Sequence, residues 1–161
     1  MRRYATEEGK ENKMNDTGQK QNEQYWAAFF EELPSDELGL KIPNIYDSHY
    51  RDFHMRITGC YIRVSQRVKP LAIGAAFVMK GSAQDFLHSL IKQQAEIENE
   101  LGEKFNYYEG VQGETQIYVE LKYCDVTDKT DWSDQHQWLA MKLEKLVEVF
   151  RPRIEKLKCY R

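Results

Sequence analysis

Only a few side chains in this sequence stand at spacings that could do chemistry. One group is the run Tyr61, Arg63, Ser65, Arg67 and Lys69. Spaced two apart on a strand, these residues share a face. Basic groups interleaved with an aromatic on an exposed sheet face suit a nucleic-acid backbone, with Tyr61 free to stack on a base. Arg51 and Arg56 lie just before the run. Arg151, Arg153, Lys156, Lys158 and Arg161 could extend the basic surface from the C-terminal end. The same pattern also describes an edge strand that is merely guarded by charge. A second group is Glu120-Leu121-Lys122, again two apart on a strand, where a plain cross-strand ion pair is the simplest role. Any metal site at Glu120 needs another acid, and Glu109 and Glu114 lie upstream.

Other chemistries find no foothold. His49 and His54 are five apart, which fits neither a helix face nor a strand face, and His88 and His136 stand alone. Cys60, Cys124 and Cys159 are far apart and odd in number, so no zinc spacing or disulfide framework emerges. There is no phosphate-binding glycine motif. No resident metal or cofactor is expected.

The elements that must position these residues can be read in turn. Residues 1–22 are polar and poor in apolar side chains, a leader expected to stay disordered. Residues 23–161 are expected to form one domain. Tyr25, Trp26, Phe29, Phe30 and Leu33 make an aromatic stripe on a helix that Pro34 ends. Strands follow near 53–58, 60–69 and 71–79. The last of these has a small apolar second face, Ala72, Gly74, Ala76 and Val78, as a strand covered on both sides would. Ser82 is placed to cap one long helix whose stripe is Phe86, Leu90, Ile97 and Leu101, and Gly102 is placed to end it. Strands at 105–109 and 117–123 flank a turn at Gly110–Gly113. A final helix, capped by Ser133, carries Leu139, Leu143, Leu146, Val147, Phe150, Ile154 and Leu157. The expected fold is α+β: a mainly antiparallel sheet of four or five strands, long helices mostly on one face, in the order helix, hairpin, helix, hairpin, helix.

The spacing of Tyr25-Trp26, the helix end Ile97-Glu98-Asn99-Glu100-Leu101-Gly102, the strand Phe105-Asn106-Tyr107-Tyr108-Glu109, Trp132, Trp138-Leu139 and Phe150-Arg151-Pro152 resembles a bacterial and archaeal domain of unknown function, number 4268. The resemblance covers residues 23–158. Members of that family are often carried behind nuclease-like or restriction-associated domains, whereas this chain shows a short polar leader in that place. Glu120-Leu121-Lys122 also resembles half of a restriction-endonuclease-like site, where the carboxylate binds Mg²⁺ and the lysine positions water or stabilises charge.

Net charge is −3, but it is unevenly distributed. Residues 51–80 hold six basic residues and one acidic, and residues 81–136 hold twelve acidic and four basic, so different faces would present opposite fields. No apolar run reaches the roughly 20 residues that a membrane span needs. With no secretory signal and unpaired cysteines, a cytoplasmic location is expected. Together these readings point to a non-catalytic accessory or binding domain in nucleic-acid transactions, contacting nucleic acid through Tyr61, Arg63, Arg67 and Lys69. Two alternatives stand beside it. One is a Mg²⁺-dependent nuclease using Glu120 and Lys122 with Glu109 or Glu114. The other is a protein-interaction or homodimerisation module.

Overall fold

The structure, a computed structural model, describes residues 21–33, 38–43, 48–110 and 112–159. The proposed leader therefore falls outside the described residues, apart from Gln21 and Asn22. Both already belong to helix α1, seen over 21–31. Strands β1 (Tyr50–Ile57), β2 (Cys60–Val68) and β3 (Leu71–Lys80) form a meander. A 3₁₀ turn (Gly81–Asp85), α2 (Phe86–Lys92) and α3 (Gln94–Leu101) lead to the hairpin of β4 (Asn106–Glu109) and β5 (Glu114–Lys122). Helix α4 (Trp132–Lys158) closes the chain. The fold is α+β, with one five-stranded antiparallel sheet in the order β1-β2-β3-β5-β4.

Strand alternation builds the core. Phe53, Met55, Cys60, Ile62, Val64, Ile73, Ala75, Phe77, Ile117 and Val119 bury one face of the sheet. Against them pack Tyr25, Trp26 and Phe29 of α1, Leu90 of α2, Ile97 and Leu101 of α3, and Leu139, Leu143, Leu146, Phe150 and Ile154 of α4. Phe77 and Phe150 stack with ring centroids 4.6 Å apart. Fully burying one such aromatic stabilises by about 1.5–3 kcal/mol. The Trp26 indole N–H donates to the Ser48 carbonyl at 3.0 Å, so the ring enters the core with its polar edge satisfied.

Several expectations change. Ser82 caps no helix. Gly81–Asp85 is a 3₁₀ turn, and the α-helix starts at Phe86 without a side-chain cap. The single long helix is also two, because at Gln93 (φ −99°, ψ 15°) the backbone N–H donates to Leu90, three residues back, rather than four. That tightened turn interrupts the ladder. Gly102 does end α3 in the left-handed conformation, φ 77°. The last helix opens at Trp132, and Asp131 rather than Ser133 holds the cap position. The first strand group is a three-stranded meander in place of a hairpin. Its β1 slips register between His54 and Ile57, with Arg56 at φ 60° and its N–H bonded to His54 Nδ1 at 2.8 Å. Among the described residues, no helix is long and apolar enough to cross a membrane.

Candidate binding groove

The second face of β3 consists of Ala72, Gly74, Ala76 and Val78. Ala72, Ala76 and Val78 are buried. The flanking strands carry long side chains on that face, so these rise as walls around a floor of small residues. Tyr50 of β1 and Arg63, Ser65 and Arg67 of β2 form one wall. Tyr108 of β4 and Gln116, Tyr118 and Glu120 of β5 form the other. The groove between them holds about 360 Å³. Gly74 sets its depth. A Cβ there would lie 3.0 Å from Ser65 Oγ and 3.9 Å from Glu120 Cγ.

Two ion-pair clusters fix the walls. At one end the Arg63 guanidinium grips both oxygens of Asp52, at 2.7 and 2.9 Å, and both oxygens of Glu114. Lys80 adds a 3.3 Å contact to Asp52 and stands 4.0 Å from Glu114. The register explains this convergence, since β1 places Asp52 opposite Arg63, and β5 places Glu114 opposite Lys80. Burial works against the Arg63 charge, yet its bonds to Asp52 and Glu114 outweigh burial and hold the cation firmly protonated. Arg63 also covers the Tyr50 ring at 4.3 Å, and Lys80 covers Tyr61 at 4.5 Å. Farther along the groove, Arg67 pairs with Glu120 across β3.

The residues expected to bind are thus placed unequally. Tyr61, Arg63 and Arg67 do share the second sheet face. Arg63 is tied down by two carboxylates, its side chain 12% exposed, and Arg67 is half exposed beside one. Lys69 leaves the strand and sits in the exposed β2–β3 turn. Arg51 is fully buried, donating to the carbonyls of Ser48 at 3.2 Å and Tyr50 at 2.7 Å, so it offers nothing to a ligand. Arg151 donates to the carbonyls of Leu38 and Met55, and Arg153 grips Glu100. Those two anchor α4 to its neighbours. Arg161 lies outside the described residues.

The acidic candidates do not converge. Glu109 sits opposite Thr115, on the other sheet face from Glu120, where it borders a separate hollow with His88 and Tyr107. Glu114 shares the face of Glu120 but lies six residues along β5, about 20 Å away at the rise of a strand. Among the described residues no group of three His, Cys, Asp or Glu could hold a metal ion. Sequence reasoning passed over Tyr50, Asp52, Tyr108, Gln116 and Tyr118. The alternation Gln116, Tyr118, Glu120 on β5 was a usable signal, but the partners across the sheet required the register.

The fold and groove define a class: an α+β domain with a floor of small residues on its sheet face, walled by tyrosines and paired charges. The chain belongs to the family described as domain of unknown function (DUF4268), whose model matches residues 21–154. Comparison with curated proteins and with solved structures gives no match.

Proposed function

We propose that this domain is a non-catalytic binding module whose second sheet face, free of helices among the described residues, takes a single-stranded segment of nucleic acid in the groove over β3. One observation carries the reading: small residues line the floor of β3 while Tyr50, Tyr108 and Tyr118 stand in the walls beside Arg67, Gln116 and Ser65. Flat bases stack on aromatic rings exposed on a sheet, and guanidinium and amide groups reach their edges or the backbone. Tyr50 and Tyr108 are 40% and 55% exposed; Arg63 covers one face of Tyr50, so Tyr108 is the more open ring for a ligand.

The charge state of the groove shapes the expected affinity. Arg63 and Lys80 answer Asp52 and Glu114, and Arg67 answers Glu120, so little cationic charge is unspent. Stacking and hydrogen bonds then supply most of the binding. Salt dependence is shallow, a log–log slope of about −1 to −2 for one to three phosphate contacts on a single strand.

Fluorescence anisotropy with labelled single-stranded DNA and RNA tests this. Tyr108→Ala and Arg67→Glu each weaken binding about tenfold, the scale of one lost stack or charge-assisted contact. Absence of binding at about 100 µM protein in low salt, the weak end of non-specific affinities, refutes the proposal. Binding that survives the double variant unchanged refutes the groove as its seat.

A further inference from the structure

The sheet has an unfinished edge. Strand β4 pairs with Thr115–Tyr118 alone, whereas β5 continues to Lys122. β3 lies on one side of Val119–Lys122, and on the other side no strand lies among the described residues. Leu121 is 37% exposed there and Tyr123 is 92% exposed. The direction of the free backbone groups follows from the ladder. The Tyr123 N–H donates to Leu71 at 2.8 Å, toward β3, and the Glu114 carbonyl accepts from Gly110 at 2.8 Å, toward β4. Antiparallel pairing alternates, so Glu120 and Lys122 aim their N–H and C=O groups away from β3, at the open edge.

We infer that this edge pairs with the same edge of a second copy of the chain, antiparallel about a two-fold axis, with Leu121 opposite Leu121 of the partner subunit. The register is selected by two independent conditions. Backbone bonds require outward-facing residues to meet each other, which allows Glu120 opposite Glu120, Lys122 opposite Lys122, or Glu120 opposite Lys122. Charge rejects the first two and favours the third, because like charges directly opposite destabilise a pair and opposite charges stabilise it. In that register each Glu120–Lys122 pair exchanges both of its N–H···O bonds. Leu121 meets its own copy on the helix-bearing side, and Tyr123 meets Val119. A straight strand would next run into Asn106, which sits opposite Tyr118, but the chain turns away at Tyr123, φ 65°. The interface is isologous and joins two sheets into one continuous sheet.

Sedimentation equilibrium of the full chain tests this, with protein up to about 1 mM, where even a 4 kcal/mol association shows. The wild type is expected to form dimers with concentration. Lys122→Pro, which deletes an outward N–H that no internal bond uses, and Lys122→Glu, which sets like charges opposite each other, each weaken association tenfold or more. The exchange Glu120→Lys/Lys122→Glu restores it. A wild type that stays monomeric throughout, or dimers indifferent to Lys122→Pro, overturns the inference. A charge exchange as weak as the single variant overturns the register. Circular dichroism confirms that each variant is folded before it is weighed.

Discussion

His136 gives the clearest physical prediction. Its ring lies 1% exposed in an aromatic cage, 4.5 Å from Tyr25, 5.6 Å from Phe29 and 6.0 Å from Trp132. Its Nε2 is buried with no hydrogen-bond partner among the described residues. Burial pushes the imidazole down to about 4 from an ordinary 6.5, because a charged ring in that cage would lose its hydration without a partner. The unfolded chain therefore binds a proton that the folded chain refuses, and stability is complete above pH 6.5 and lost as pH falls toward 4. At 1.36 kcal/mol per unit, the loss is about 1.4 kcal/mol at pH 5.5 and about 2.5 kcal/mol at pH 4.5. His136→Phe removes the proton site and keeps the shape, so it is neutral or stabilising at pH 7. Urea unfolding of both proteins from pH 7.5 to 4.5 isolates the effect, since carboxylates titrate alike in both. A wild-type-minus-variant difference that stays flat with pH refutes the reasoning.

Arg63→Met leaves Asp52 and Glu114 facing each other with Lys80 as their remaining cation, and the expected loss of about 2–3 kcal/mol is read as a fall in urea midpoint. Arg63→Lys recovers little of it, because a single ammonium cannot serve two carboxylates in bidentate fashion. Thiol titration at pH 8 in native buffer modifies Cys159 fast and leaves Cys60 and Cys124 slow. Cys159 is exposed, whereas Cys60 is buried with its thiol pushed up to about 11 and burial likewise raises Cys124; three fast thiols would contradict this.

Period-two alternation in Cys60–Val64 and Ile117–Val119 was legible because each inward residue is apolar and each outward one polar. The small second face of β3 was legible as buried, but for a reason the sequence hides. That face is sheltered by the side chains of its neighbours, Arg63 and Arg67 on one side and Tyr118 and Glu120 on the other. Ionic partners were illegible for the same reason. Asp52 and Glu114 are 62 residues apart in sequence, and only strand register brings both to Arg63. The break at Gln93 escaped notice because the apolar stripe continues across it, and hydrophobic period does not report a single three-residue hydrogen bond.

Glu120 joins the groove to the edge. Its carboxylate reaches inward over Gly74 to Arg67, while its backbone faces the open edge beside Lys122. If the sheets pair as inferred, Lys122 of the partner subunit would stand opposite Glu120 and would compete with Arg67 for that carboxylate. A contact made by that lysine would loosen Arg67 toward the groove, where it could meet a phosphate or a base edge. Self-association and ligand binding would then favour one another, and by linkage the coupling is reciprocal. Single-stranded oligonucleotide should tighten dimerisation of the wild type by the same factor by which dimerisation tightens oligonucleotide binding. In Arg67→Ala the competition is absent, so the coupling should vanish even where dimers persist. Oligonucleotide that leaves the dimerisation constant unmoved in the wild type would show that the two surfaces act independently, and that Glu120 stays with Arg67 in both states.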